Sequence, residues 1–161
     1  MIRGRIAAIV TPMDLHGKMH YESLSKLIDF HLAEGTHTIV VAEATGEGAT
    51  LEFREHVALI ERTVEMVGGQ IPVIAGTGSN CTRETIELTT AAKQAGADAS
   101  LLITPYYVRP TQEGLFRYFQ SAADAIAIPQ ILYNVPARTC RDSDRALRFS
   151  MTTGACRTPA V

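Results

Sequence analysis

The sequence predicts an α/β fold in which the strands of a parallel sheet are joined by helices. Two observations indicate this class: short apolar runs alternate with longer amphipathic segments, and successive apolar runs start 28 to 33 residues apart. Parallel strands that are covered on both faces are apolar throughout, because neither face meets water. Strands and helices that alternate in this way form a parallel sheet with helical crossovers.

Five segments are predicted strands because they are short and mostly apolar. They are Ile6–Val10, Thr38–Ala42, Ile71–Ala75, Ala99–Ile103 and Gln130–Tyr133. Four helices are predicted between them, because apolar residues recur there at helical spacing. Their apolar stripes span Leu24–Leu32, Val57–Val67, a segment from Asn80 or Thr82 to Gly96, and Leu115–Ile126. Gly35 and Gly68-Gly69 are expected to end the first two helices, and Thr111 to cap the fourth.

Two architectures share this order of elements. A doubly wound, flavodoxin-like binding module is complete at this length, whereas a (β/α)8 barrel takes about 250 residues, so that 161 residues provide its N-terminal portion of five strands and four helices. The strand order separates them. Order 2-1-3-4-5 indicates the flavodoxin-like module, and sequential order 1-2-3-4-5 indicates the barrel portion.

Composition excludes several classes of function. The net charge is −2 without a concentrated basic patch, which disfavours nucleic-acid binding, and no apolar run is long enough for a membrane span. Three cysteines without a CxxC pair favour a reduced, cytoplasmic setting. The five histidines are scattered, so no metal is expected. Gly76-Thr77-Gly78 lacks the third glycine of a dinucleotide site, and no cofactor is expected.

Polar and glycine-rich segments follow every predicted strand, at the end where such folds carry their function. They are Thr11-Pro12, Glu43–Glu47, Gly76–Gly78, Thr104–Tyr107 and Tyr133–Thr139. One interpretation is that strands simply end in turns, which favour Gly, Pro, Asn and Thr. Turn formation explains the tyrosines and the arginine among these residues poorly.

Two phenols, a guanidinium and a threonine are therefore the candidate site. Tyr107 and Tyr133 follow adjacent strands, so their hydroxyls are expected to reach one pocket and pass a proton there. Arg138 offers a planar fork for a carboxylate, and Thr45 offers a hydroxyl and a backbone N–H for another. The alternative is that both tyrosines are core or interface aromatics.

The same segments resemble, in order and spacing, the dihydrodipicolinate synthase and N-acetylneuraminate lyase family. The matching motifs are Ile9–Pro12, Ala44–Glu47, Ile74–Gly78, Thr104–Tyr107 and Tyr133–Pro136. Arg138-Thr139 is similar to the synthase branch. The resemblance runs from about Ile2 to Thr139. It implies a class I aldolase on a (β/α)8 barrel, a lyase that condenses pyruvate with aspartate semialdehyde in lysine (diaminopimelate) biosynthesis.

The resemblance also implies roles for individual residues. Tyr133 is the proton donor and acceptor, Tyr107 its relay partner, Thr45 the ligand of pyruvate's carboxylate, and Arg138 the ligand of the aldehyde's carboxylate. Four residues match positions that bind the feedback effector lysine in some members: His56, Asn80, Glu84 and Tyr106. Family members are typically cytoplasmic homo-oligomers.

The sequence departs from the family in two places. Ala44 stands where the family has a relay threonine, and a methyl group cannot bridge two phenols. The Schiff-base lysine of the family has no counterpart among the lysines, which are Lys18, Lys26 and Lys93. An iminium with pyruvate needs an amine. The chain is therefore expected to be inactive alone, or to serve as an interaction or regulatory subunit.

The sequence is expected to divide near residue 139. Residues 1–139 form a partial barrel domain, and residues 140–161 form a divergent tail with neither the apolar strand nor the amphipathic helix due next. A frameshift or premature stop in the gene is the hypothesis that this tail motivates. A five-stranded barrel portion leaves two strand edges unpaired, so the chain is also expected to be poorly soluble alone.

Overall fold

Five parallel strands alternate with helices in the computed structural model, which describes residues 2–144. The strands are β1 (Ile6–Ala8), β2 (Thr38–Val41), β3 (Val73–Gly76), β4 (Ala99–Ile103) and β5 (Gln130–Tyr133). The helices are α1 (Tyr21–Ala33), α2 (Phe53–Val67), α3 (Thr82–Gln94), α4 (Gln112–Ala125) and the short α5 (Pro136–Thr139).

The strand order in the sheet is β1-β2-β3-β4-β5. The pairs β1–β2, β2–β3 and β4–β5 are parallel, with Ile6 opposite Thr38 in the first and Ser100 opposite Gln130 in the last. Sequential order confirms the N-terminal portion of a (β/α)8 barrel and excludes the flavodoxin-like module.

The chain divides into two compact units, and the first contains strands β1 to β3. This β1–β3 unit comprises Met1–Gly76 and Ala92–Asp98. Its core joins buried residues of α1 and α2 to those of the strands, among them Ile28, Ile39, Leu59 and Ile60. Helix α2 ends as predicted, because Gly68 adopts the left-handed conformation (φ 58°) and its N–H bonds to the carbonyl of Val64.

The second unit, the β4–β5 unit, comprises Thr77–Ala91 and, within the described residues, Ala99–Asp144. Helix α4 packs onto its strands through Leu115, Tyr118 and Phe119, which are buried with Leu102. Helix α4 also begins as predicted, because the Thr111 hydroxyl accepts a hydrogen bond from the N–H of Gly114 at 3.1 Å.

Three strands differ from their predicted bounds: the first ends two residues earlier, the second ends one residue earlier, and the third starts two residues later and ends one residue later. Pro72 has no N–H to donate to a neighbouring strand. The start at Val73 is marked by two hydrogen bonds to Asp98: the N–H of Val73 donates to the carboxylate at 2.8 Å, and the N–H of Asp98 donates to the Val73 carbonyl at 2.9 Å. Neither α5 nor the 3-10 turns after β2 were predicted.

The start of the predicted tail is hydrogen-bonded to the β4–β5 unit. The Asn134 side chain donates to the Asp142 carboxylate at 2.7 Å and accepts from the N–H of Ser143 at 3.2 Å. Residues 145–161 lie outside the described residues, and the boundary near residue 139 stays a prediction. Among residues 2–144, no helix combines the length and the apolar character that crossing a membrane requires.

Candidate functional site

The loop that follows β2, residues 43–50, presents Thr45 at the carboxyl end of that strand. Two consecutive 3-10 turns, Ala44–Gly46 and Gly48–Thr50, form the loop. The Thr11 hydroxyl, at the end of β1, donates to the Gly46 carbonyl at 2.6 Å and anchors the first turn. Thr45 itself is exposed, and its role as a ligand of a carboxylate stays a prediction. We call residues 43–50 the Thr45 loop.

The Thr45 loop begins with a buried carboxyl group, that of Glu43, which is only 8% exposed. Its Oε2 atom lies against Gly76 at the end of β3, since a Cβ atom at residue 76 would come within 2.7 Å of it. Burial raises the pKa of Glu43 to about 7, although the backbone N–H of Ala44 bonds to the carboxylate and lowers that pKa in part. No basic side chain among residues 2–144 forms an ion pair with Glu43.

Glu43 was not among the predicted site residues. Its position could have identified it, because Glu43 is an acidic residue that directly follows an apolar predicted strand, at the end where such folds carry their function. The structure shows burial, and a buried carboxyl with a perturbed pKa at a strand end is a candidate functional group.

His56 of α2 is buried in the β1–β3 unit, and its Nε2 lies 2.7 Å from the carbonyl oxygen of Gly76. Because a carbonyl only accepts, Nε2 must carry the proton of this bond. The imidazole therefore supports the end of β3. Its predicted role in effector binding stays a prediction.

The two glycines of the Gly76-Thr77-Gly78 segment allow neighbouring backbone of the same protein to approach closely. The N–H groups of Thr77 and Gly78 both donate to the Leu101 carbonyl, at 3.1 and 3.3 Å. A Cβ atom at residue 78 would overlap with the backbone nitrogen of Ile103. These two N–H groups are thus engaged within the β4–β5 unit, which argues against a phosphate-binding role for them.

The tyrosines and the arginine lie at the carboxyl edge of the β4–β5 unit. Tyr133 ends β5 opposite Ile103, and the N–H of Thr104 donates to its carbonyl at 3.0 Å. Tyr107 follows β4 in a left-handed conformation (φ 69°) and is 90% exposed, which rules out a core position within the described chain. Arg138 is exposed on α5. Tyr133 thus ends one of two paired strands, and Tyr107 and Arg138 follow these strands, in agreement with the predicted positions at strand ends.

The remaining predicted effector residues also belong to the β4–β5 unit. Glu84, in the first turn of α3, accepts a hydrogen bond from the Ser79 hydroxyl, and the Tyr118 hydroxyl donates to the Ser79 carbonyl at 2.9 Å. Asn80, which precedes α3, is exposed, and Tyr106 is partly buried. A shared effector site for these residues stays a prediction.

The predicted site residues are divided between the two units. Thr45 and His56 belong to the β1–β3 unit, and the other six belong to the β4–β5 unit. A common pocket for them therefore remains a prediction. Over the described range, no three His, Cys, Asp or Glu side chains are grouped so that they could hold a metal ion.

Comparison with known proteins gives a consistent set of relatives. Residues 1–144 match the Dihydrodipicolinate synthetase family. The 4-hydroxy-tetrahydrodipicolinate synthase of Pseudomonas syringae pv. syringae is 63% identical over 142 residues, which are 88% of this chain and 49% of that protein. The synthase of Pseudomonas aeruginosa is 58% identical over 142 residues, which are again 88% of this chain and 49% of that protein.

Solved structures that match this chain include dihydrodipicolinate synthases. The dihydrodipicolinate synthase of Acinetobacter baumannii, a chloride-inhibited enzyme in complex with pyruvate, matches with a TM-score of 0.96 at 46% identity, over 99% of this chain and 55% of that one. The enzyme of Aquifex aeolicus matches with a TM-score of 0.93 at 44% identity, over 96% and 52%. The chain thus spans about half the length of the relatives it matches.

Proposed function

Since the chain belongs to the dihydrodipicolinate synthetase family, we propose that it supplies the β1–β5 half of a lyase that condenses pyruvate with aspartate semialdehyde in lysine biosynthesis. One observation carries this proposal. The 63% identity with a 4-hydroxy-tetrahydrodipicolinate synthase extends over 142 residues, a range that includes the candidate site residues at the strand ends.

Each candidate residue has a chemical role in this proposal. The exposed hydroxyl of Thr45 binds the carboxylate of pyruvate, and the guanidinium of Arg138 binds the carboxylate of the aldehyde through two parallel hydrogen bonds. Tyr133 donates and accepts the proton, with Tyr107 as its relay partner. Support comes from their positions, since each lies at the carboxyl end of a strand or in the segment that follows it.

We infer that none of the three lysines of this sequence is placed to supply the amine for an iminium. Lys18 lies in an exposed turn, Lys26 forms an ion pair with Glu22 on α1, and Lys93 is exposed near the end of α3. Among residues 2–144, no strand is directly followed by a lysine. We therefore propose that this chain forms no iminium with pyruvate by itself and that catalysis requires an amine from additional polypeptide.

Borohydride trapping with labelled pyruvate tests this proposal. We expect no covalent label on this chain, while an intact Pseudomonas synthase becomes labelled under the same conditions. Adding the missing barrel half of that synthase as a separate polypeptide should restore labelling, located on the added half. Label on the present chain alone would contradict the assignment of the missing amine.

A variant pair tests the roles assigned to the tyrosines. In the reconstituted mixture, Tyr133→Phe should lower turnover by about 10²–10⁴, the usual contribution of a positioned proton-transfer group. Tyr21→Phe, at the start of α1, removes a hydroxyl from the other unit and serves as the matched control. Equal turnover in the two variants would exclude Tyr133 as the proton-transfer residue.

A second candidate function is that of an interaction or regulatory subunit, including self-association. Exposed apolar side chains favour it: Ile6 and Val10, on and just after the edge strand β1, are 39% and 52% exposed, and Val108 beside Tyr107 is also exposed. Sedimentation of the chain alone and mixed with an intact synthase measures this association. A monodisperse monomer in both samples would exclude the second function.

A further inference from the structure

The helical turn α5, which carries Arg138, has little stability of its own. It is only four residues long, Pro136–Thr139. The backbone N–H groups of Arg138 and Thr139 both donate to the Val135 carbonyl, at 2.9 and 3.0 Å. Forming a single turn fixes several backbone angles for very few hydrogen bonds, so an isolated turn does not persist in water. Contacts with surrounding residues must therefore hold α5 in place.

The side chain of Asn134 supplies such contacts through both of its amide atoms. Asn134 directly follows Tyr133, the last residue of β5, and precedes α5. Its Nδ2 donates to the Asp142 carboxylate at 2.7 Å, and its Oδ1 accepts from the backbone N–H of Ser143 at 3.2 Å. Ser143 is only 4% exposed, so its N–H needs a partner within the protein. The amide thus closes residues 135–141 into a loop, which we call the Arg138 loop.

The far end of the Arg138 loop is also fixed to helix α4. The Gln112 side chain donates to the Asp142 carbonyl at 2.8 Å and accepts from the N–H of Asp144 at 3.1 Å. Because α4 packs into the core of the β4–β5 unit, residues 142–144 are held by a stable element. Arg138 lies midway between Asn134 and Asp142 in the sequence. The place of its guanidinium therefore depends on the closure of the loop by Asn134.

We propose that Asn134 is a positioning residue for Arg138: its amide closes the Arg138 loop and so fixes the guanidinium where it binds the carboxylate of the aldehyde. The inference rests on the proposed function, because that function assigns this carboxylate to Arg138. A loop that is ordered before binding loses less conformational freedom when the ligand binds. Loss of the Asn134 contacts should therefore weaken binding of the aldehyde, whereas pyruvate, which is assigned to Thr45, should keep its affinity.

Amide hydrogen exchange of this chain alone tests whether Asn134 holds the loop. The N–H groups of Thr139 and Cys140 are bonded across α5, at 3.0 and 2.9 Å. In Asn134→Ala they should exchange about tenfold faster, as expected when a hydrogen bond to a charged group is lost, while exchange in α4 stays unchanged. Asp142→Asn keeps an acceptor oxygen for the Asn134 amide and should retain the slow exchange. Unchanged exchange of Thr139 and Cys140 in Asn134→Ala would overturn the inference.

Kinetics of this chain mixed with the added barrel half test the functional part. Asn134→Ala should raise the KM for aspartate semialdehyde about tenfold and leave the KM for pyruvate and the borohydride labelling unchanged. Asp142→Asn should retain the wild-type values of both. Tyr118→Phe removes buried hydrogen bonds elsewhere in the β4–β5 unit. It controls for a general loss of stability and should leave both KM values unchanged.

The outcomes separate this inference from the function on which it rests. KM values for the aldehyde and for pyruvate that rise together in Asn134→Ala would give Asn134 a structural role only and would overturn the inference. A wild-type KM for the aldehyde in Asn134→Ala would also overturn it, while the proposed function stands. Absence of both labelling and turnover in the wild-type mixture would overturn the proposed function and this inference with it.

Discussion

Replacing Glu43 with glutamine should change how the stability of the protein depends on pH. Burial raises the pKa of Glu43 from its ordinary value of 4.5 to about 7. Below pH 4.5 the carboxyl is neutral in both the folded and the unfolded state. Between pH 4.5 and about 7 only the unfolded state loses the proton, so stability falls as pH rises. Above about pH 7 the loss is complete and amounts to about 3 kcal/mol, at about 1.4 kcal/mol per pH unit.

Urea unfolding of wild type and Glu43→Gln at a series of pH values measures this loss. The difference in the free energy of unfolding should grow by about 3 kcal/mol in favour of Glu43→Gln between about pH 4 and about pH 8. Other titrating groups contribute equally to both proteins and cancel in the difference. The same series on Glu47→Gln, an exposed residue of the same loop, controls for loss of a negative charge. Parallel curves for wild type and Glu43→Gln would refute the burial argument.

Two further substitutions test the packing of the β4–β5 unit. Gly78→Ala places a Cβ atom onto the backbone of Ile103 and should lower the free energy of unfolding by about 1–3 kcal/mol. Gly114→Ala in α4 is the control and should cost less, because its Cβ atom meets only side chains. Equal losses in the two variants would contradict a close backbone approach at Gly78. Tyr118→Phe removes the hydrogen bonds to the Ser79 carbonyl and to the Thr85 hydroxyl and should cost about 1–2 kcal/mol by urea unfolding. An unchanged midpoint would show that these two bonds together add no stability.

Local chemistry made most elements predictable. Helix ends depend on which residues tolerate a left-handed backbone or supply a capping oxygen, and the predicted end at Gly68 and start at Thr111 both occur in the structure. The fourth and fifth strands have their predicted bounds, because strands covered on both faces need runs of apolar residues. The start of β3 was missed because its hydrogen-bond partner, Asp98, lies far along the chain.

The strand-end positions of the candidate residues were predictable to the same extent, whereas their roles and their common pocket stay predictions. Residues at the carboxyl ends of parallel strands are recognisable from sequence, so the positions of Thr45, Tyr133 and Arg138 at these ends agree with the prediction. The exposure of Tyr107 required the structure, because its left-handed backbone and its surroundings decide whether the ring is covered.

The sequence by itself determined the class of fold, the positions of most elements and the family of this protein, because these depend on periodicity and on short motifs. The tertiary structure alone decided that the carboxyl of Glu43 is buried against Gly76, that His56 supports the carbonyl of the same glycine, and that Gly78 serves a close approach of backbone. The physical reason is that desolvation depends on which atoms surround a group. For Glu43, some of those atoms belong to a strand about thirty residues away, and its own pattern in the sequence does not reveal them.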